Sequence, residues 1–425
     1  MKRLIIALAL LASLSAENAS AQVWIKDSVN CTGSIKKDVW YSLKNGTVAT
    51  DTFNNWIMAL SQMPQTGGVW VNHNAGVRLF NTHKPISQLA SITFADTLAS
   101  DLQYNTDYTW ERGAMNVNRN PTDTFDYGWG TYDQVSHNVY GDSVYIINQG
   151  NSYYAIAIDS LVGSTWTYHT RVLAMGLPFG PQPFNFAQGT AYANKNFQYI
   201  SAGMSGLSAL NREPENSTWD IMFGKYISMI SLGGPPVPYP VAGALTNYKT
   251  QVARVQGVAL DDAYANAQTY ARNTRINNIG SDWKVWNGTA YIYPDSLTYI
   301  VQGKDNMLWQ LKFTEYNSAT GDMKFMKREV GFPTAVSDVK SGLNSMLVSP
   351  NPTNGNAVVV LDAKRSSKAT MRVLSQTGAI IAQRSVDVEQ GMNAYSLDFT
   401  NLAQGIYFVS VSGADINVSS RVVKQ

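Results

Sequence analysis

The chain has 425 residues, enough for two to four domains with real cores, so disorder as its overall state is excluded. Charged residues make up only 15%, while 23 Tyr, 11 Trp, 14 Phe and 32 Gly favour strands joined by tight turns over Glu/Lys/Leu-rich helices. The net charge of +2, with no dense basic run, gives no support to a nucleic-acid surface or an electrostatic membrane patch.

Residues 1–21 read as a cleaved secretory signal. Lys2 and Arg3 precede an apolar run from Leu4 to Leu14, and Ala19-Ser20-Ala21 supplies the small-residue cleavage site. Mature protein is expected to start at Gln22. The apolar run is shorter than the ~20 residues a spanning helix needs, and no later stretch reaches that length. Cys31 is the only cysteine, so no intrachain disulfide can form, and a half-buried small residue is its simplest role.

From residue 22 to 332 the pattern repeats weakly. Gly128-Trp129 aligns with Asp282-Trp283, and Tyr145-Ile146-Ile147 with Tyr299-Ile300-Val301 at the same spacing. Asn55-Trp56-Ile57-Met58 answers Thr218-Trp219-Asp220-Ile221, each preceded by a Tyr-containing strand, Val39 to Leu43 and Phe197 to Ile200. The expected organisation is therefore a β-domain over 22–175, a Pro/Gly-rich linker over 176–190, a second copy over 191–332 and a further linker over 333–345. Alternation of β-branched or aromatic residues with polar ones predicts strands at Val144 to Asn148, Tyr153 to Ile158, Thr298 to Val301 and Leu308 to Phe313. One helix is expected over Ala263 to Arg272, capped by Asp261-Asp262.

The tail, 346–425, reads as about seven short strands with turns between them, the pattern of a small immunoglobulin-like β-sandwich. Gly355, Gly378, Gly391 and Gly405 stand where turns call for positive φ. The whole chain is thus expected to be all-β with minor helix: two tandem β-domains followed by a small sandwich. The tail opens on Pro350-Asn351-Pro352, carries Leu402 with Gly405-Ile406-Tyr407 and ends on Arg421 and Lys424. It resembles the C-terminal sorting domain of type IX secretion cargo of the Bacteroidetes. That resemblance implies passage through the periplasm, interaction of residues 346–425 with the secretion machinery, and a protein released or attached to the outer cell surface.

The cargo repeats resemble the HmuY-like domain, a β-rich fold of exported Bacteroidetes proteins, several of which bind haem. The carrying residues are Trp219-Asp220-Ile221-Met222-Phe223 with Tyr226, the segment Tyr239 to Asn247, Gly280-Ser281-Asp282-Trp283, and Tyr299-Ile300-Val301 running into Trp309 to Phe313. The second copy carries the fuller motif. In the first, Trp56-Ile57-Met58 lacks the acid. The resemblance implies a His preceding the Tyr-aliphatic-aliphatic strand as a haem-iron ligand, a position held by His137, eight residues before Tyr145. Met115 is the partner selected as second cofactor-binding residue, in competition with Tyr108, Tyr104, His83 and His73. Copy two has no His and offers only aromatic or thioether donors, such as Met222 and Met229. No zinc His-Glu-x-x-His, phosphate loop or nucleophile elbow occurs, and the expectation is a binding protein without catalysis. The functional expectation is thus a secreted or surface ligand-binding protein, with haem or another apolar small molecule as ligand. The alternative is a surface interaction or adhesin-type protein with no small-molecule ligand.

Overall fold

The computed structural model describes residues 23–173, 182–186, 191–203, 206–231, 233–333, 343–375, 379–413 and 416–425. The signal segment 1–21 and most of both linkers, together with Gly378, lie outside them. In the first half the strands are β1 (Ile25–Asn30), β2 (Lys37–Ser42), β3 (Gly46–Thr52), β4 (Met58–Ser61), β5 (Val69–Val71), β6 (Arg78–Pro85), β7 (Asp101–Gln103), β8 (Gly130–Asp133), β9 (Asn138–Gly141), β10 (Ser143–Gln149), β11 (Ser152–Val162) and β12 (Thr165–Val172). The second half supplies β13 (Gln182–Phe186), β14 (Phe197–Gly203), β15 (Gly206–Leu210), β16 (Ile221–Ile230), β17 (Val237–Thr246), β18 (Gln251–Val255), a small hairpin β19 (Val285–Trp286) and β20 (Tyr291–Ile292), then β21 (Thr298–Gln302), β22 (Leu308–Asn317) and β23 (Asp322–Gly331). The four strands expected from alternation all form, each longer by one to several residues.

Two lobes result, and each draws strands from both halves. One lobe stacks a sheet of order β1-β23-β22-β21-β18 on a sheet of order β17-β16-β2-β3. The other stacks β13-β12-β11-β10-β6-β7, with β8-β9 attached to β11, on β15-β14-β4-β5. The pairing order is the same in both: a distant strand (β1 or β13) caps the larger sheet, and a distant hairpin (β2-β3 or β14-β15) completes the smaller one. The lobes therefore do not follow the expected boundary near residues 175 and 191. Residues 25–52 belong with 221–331, and residues 197–210 with 58–172.

Burial explains the exchange. Along β2, Val39 and Tyr41 face inward with Leu43 just beyond, and all three join Phe223, Trp309, Phe313 and Phe325 in one core. The Tyr41 ring meets Phe325 edge-on at 5.2 Å and Phe223 at 5.9 Å, while Phe223 stacks on Phe325 at 5.6 Å. Each such large side chain contributes roughly 1.5–3 kcal/mol by leaving water, so half a chain without its partner hairpin lacks one wall of its core. Asp220 fastens the hairpin, its carboxylate accepting from Leu43 N at 2.7 Å and from Lys304 N at 2.6 Å. Ile57, its counterpart in the first half, is simply buried core. Cys31 sits fully buried in this lobe, and burial pushes its thiol pKa up to about 12.

The two smaller sheets turn their remaining faces toward each other. Ala59, Trp70, Phe197 and Tyr199 from one meet Tyr226, Val241 and Leu245 from the other, with Trp110 and Ile276 inserted from loops. Trp110 Nε1 crosses to Thr246 O at 2.7 Å, and Trp70 Nε1 donates to Trp110 O at 3.0 Å.

The expected ten-residue helix is reduced to α1 (Leu260–Ala265) and a 3-10 turn, Ala267–Thr269. Ala259, not an Asp, is its N-cap, and Asp261 is used instead by Arg328 at 2.8 Å. Asn266 closes the last turn, its side chain donating to Asp262 O, because the chain must return so that Asn273 can bridge Val252. The tail is a sandwich of β24 (Leu343–Ser349), β25 (Asn356–Ala363) and β28 (Gly391–Asp398) against β26 (Ser367–Ser375), β27 (Ile380–Val388), β29 (Gly405–Gly413) and β30 (Asn417–Lys424). Gly391 (φ 92°) and Gly405 (φ 156°) take positive φ; Gly355 does not, and its close neighbour is the Thr400 hydroxyl.

Candidate ligand-binding groove

The site grows from the β8-β9 hairpin. Asp133 pairs with Asn138, and the four residues between them close a turn in which Asp133 Oδ1 accepts from Ser136 N at 2.6 Å and Val135 N at 3.0 Å. These amide donors, Ser136 first, hold the Asp133 carboxyl below its ordinary range. His137 ends the turn with φ 58° and its amide on Asp133 O at 2.9 Å, a left-handed position that few non-glycine residues occupy. This geometry lifts the imidazole out of the sheet and back over β8, where Nδ1 lies 2.8 Å from the Tyr132 hydroxyl. Tyr132 in turn stacks on Phe125 with centroids 5.9 Å apart and planes at 12°, and its amide donates to Phe125 O.

His137, Tyr132, Phe125, Tyr127, Leu161 and Met63 line an open groove of about 880 Å3 together with Lys195 and Asn194. The base is rigid: Trp129 Nε1 donates to Gly67 O at 2.8 Å, and Val139, Trp129 and Trp166 lie in the core beneath. Lys195 donates to Glu213 O, and burial lowers its pKa. Glu213 itself is buried, accepting from Phe197 N at 3.1 Å, and burial pushes its carboxyl up to about 8. The groove thus combines aromatic and aliphatic walls, one imidazole, two phenols and one lysine, within the size range of small-molecule sites. Because Tyr132 occupies Nδ1, contact between the ring of His137 and a ligand falls to Nε2.

The other residues selected from sequence go elsewhere. Met115 is 1% exposed in the lobe core, and its carbonyl accepts from Tyr145 Oη, so it does not line the groove and cannot pair with His137 across a ligand there. It is the middle residue of a short 3-10 turn, Ala114–Asn116, held inward by the Asn116 side chain, which bonds Val69 N, Gly113 N and the Gly67 and Tyr127 carbonyls. His83 Nε2 lies 2.8 Å from Asp101 on the surface, and His169 Nδ1 2.5 Å from Asp159. His73 lies between the lobes, Nδ1 at 2.9 Å from Val77 O and its ring against Tyr104. Tyr132, Phe125 and Lys195 were not singled out by sequence. The first could have been found from its place one residue before an Asp-to-Asn hairpin turn ending in His, whereas Lys195 comes from the other half of the chain and leaves no local signal. Among the described residues no cluster of three or more His, Cys, Asp or Glu could hold a metal ion, and no helix is long and apolar enough to cross a membrane.

No characterised protein matches the chain. Residues 347–425 match the family described as the secretion system C-terminal sorting domain, which covers the whole seven-stranded tail sandwich but for its first four residues. The chain is therefore a cargo of the type IX secretion system, secreted or attached to the cell surface, with residues 25–331 as the two-lobed passenger.

Proposed function

We propose that the passenger is an extracellular binding protein without catalytic activity, and that its ligand is a flat, largely apolar molecule carrying an anionic edge, haem being the first to try. The observation that carries this reading is the groove of about 880 Å3 walled by Phe125, Tyr127 and Tyr132, with an exposed imidazole and Lys195 among its lining side chains. Haem fits this donor set on one face: His137 Nε2 or the Tyr132 phenol oxygen would hold the iron, and Lys195 would face a propionate. When bound, haem would supply the iron centre. The protein contributes an apolar wall, one axial donor and a cation, and Met115 contributes nothing to the iron. The HmuY-like resemblance of the repeats makes haem the natural first ligand, and that resemblance rests on the quoted motifs alone.

Titrating the mature passenger with haemin tests the reading. Saturation at one equivalent, with a Soret band distinct from free haemin, is the expected result. A spectrum that stays that of free haemin, or that never saturates, overturns it. One observation favours the surface-interaction alternative: Val285, Trp286 and Ile292 on the β19-β20 hairpin are all more than half exposed, an apolar tip of the kind a protein partner covers.

A further inference from the structure

The tail sandwich carries an apolar patch on the outer face of its smaller sheet, of order β24-β25-β28. Ala357, Val359 and Leu361 of β25 lie in the sandwich core with Val348 of β24, and Tyr395 and Leu397 of β28 pack against it. By the two-residue period of a strand, the residues between these point outward. Register then sets them side by side. Leu347 stands opposite Val360, and Val360 opposite Ala394, so one apolar row crosses all three strands. Val358, two residues along β25, and Met392, two residues along β28, extend the row on the same face. Leu347 is 60% exposed, Met392 73% and Val358 37%.

The surroundings of these five side chains are polar. Ser349 and Ser396 stand opposite Val358 from either side, Asp362 stands opposite Met392, and Asn356 and Asp398 close the far end. An apolar centre inside a polar rim is the anatomy of a protein–protein contact, whereas singly scattered apolar residues are ordinary surface. Ile380 and Ile381 of β27 are also exposed, but as consecutive strand residues they point to opposite faces and form no patch.

Size and location choose the occupant. A stable dimer uses about 20–30 residues a side, and five side chains, one an alanine and one half-buried, fall far short, so a permanent second copy is the wrong partner. A patch this small suits an encounter that is made and then released. The residues belong to the segment matched as a sorting domain, whose role is to be recognised during export. Recognition of a sorting domain that is appended to a passenger has to use the domain's own surface.

We propose that the outer face of β24-β25-β28, centred on Leu347, Val360 and Ala394, is where the type IX secretion machinery grips this chain, through a complementary apolar surface of one of its components. The assignment of the tail as a sorting domain is the premise, and the face is the addition. Because the patch is flat and uncharged, a carboxylate placed in it would have to be buried unpaired when the partner docks.

The test uses the full chain expressed in a host with a type IX system, with immunoblots of medium, cell surface and periplasm. Leu347→Glu and Met392→Glu each place a charge in the patch. Ser385→Glu places the same charge on an exposed position of β27 in the other sheet. Each patch variant should lower the exported fraction about fivefold or more, with passenger accumulating in the periplasm, while Ser385→Glu is exported like the parent. Purified patch variants should keep the parent's urea unfolding midpoints, since both replaced side chains are exposed. Export of both patch variants at the parent's level overturns the proposal, and so does an equal loss in Ser385→Glu. A lowered unfolding midpoint in both patch variants overturns it too, because folding rather than docking would then explain the loss. Deletion of residues 346–425 separates the premise from the addition: if the deletion blocks export and the patch variants do not, the face is wrong and the sorting role stands, whereas export of the deleted chain removes both.

Discussion

Arg212 offers the sharpest test of the exchanged architecture. It follows β15 in sequence yet reaches β2 and β3: its guanidinium bonds Asp38 at 2.8 Å, Thr52 O at 3.0 Å and Asp51 at 3.4 Å, and lies over Trp40 at 5.1 Å and Tyr199 at 5.0 Å. Its side chain is 1% exposed and that of Asp38 8%. Replacing it with Met leaves the Asp38 carboxylate buried with no counter-ion, a defect that costs about 3–5 kcal/mol, whereas an exposed pair would cost about 0–1 kcal/mol. The loss has a pH signature. Burial already holds the Asp38 pKa above its ordinary value while Arg212 opposes the rise, so removing Arg212 raises it further. The folded variant then binds this proton more tightly than the unfolded chain does. Its stability falls as pH climbs from the ordinary carboxyl range through the raised value and recovers on acidification, once Asp38 is neutral in both states. Pairing Arg212→Met with Asp38→Asn should restore about 2 kcal/mol or more at neutral pH. Urea unfolding followed by tryptophan fluorescence at pH 5 and pH 7.5 measures all three variants. A single-variant cost below about 1 kcal/mol, or a double variant no better than the sum of the two singles, refutes the buried tie between β2-β3 and the segment after β15.

Three further outcomes follow from the same structure. Residues 22–175 alone lack β13, β14 and β15 and should be poorly folded by circular dichroism and proton NMR dispersion, while mixing them with residues 176–333 should restore a compact complex; a well-dispersed isolated half contradicts the exchange. Glu213 is pushed up to about 8 from an ordinary 4.5, so the folded state holds an extra proton between those values and stability should fall as pH rises through that window; in Glu213→Gln this slope should vanish, as urea midpoints across the range will read. Deleting residues 346–425 should strand the passenger in the periplasm, and normal amounts in the medium, measured by immunoblot of fractions, would contradict the assigned route.

The tail was the most legible part of the chain, because seven strands in an all-antiparallel sandwich announce themselves through local alternation and turn residues, and the sorting motif lies within them. Strands such as Val144 to Asn148 were equally local. What alternation does not encode is the partner of a strand. Val39, Tyr41 and Leu43 show an apolar side, but nothing near them says that the matching wall is Phe223 and Phe325, far along the chain in its second half. The short helix failed for a related reason: Leu260, Tyr264, Ala267 and Ala271 fit a helical face, yet Asn266 and the return to Val252 end it after Ala265. In the groove, His137 was picked out only through the family resemblance, and the structure places it on the groove wall. Lys195 was not picked out at all, since it arrives through the exchanged hairpin. Met115 illustrates the opposite error, a thioether of the right chemistry drawn into the core by the hydrogen bonds of Asn116.

The functional account stands or falls on His137. Haemin affinity of the mature passenger should be compared with that of His137→Ala by Soret titration, with far-ultraviolet circular dichroism as the control for folding. His137 is exposed at a turn and contributes little to the core, so the variant should fold as the parent does. The account predicts that it binds haemin at least tenfold more weakly, with a displaced Soret maximum. A variant whose affinity and spectrum equal the parent's would contradict it.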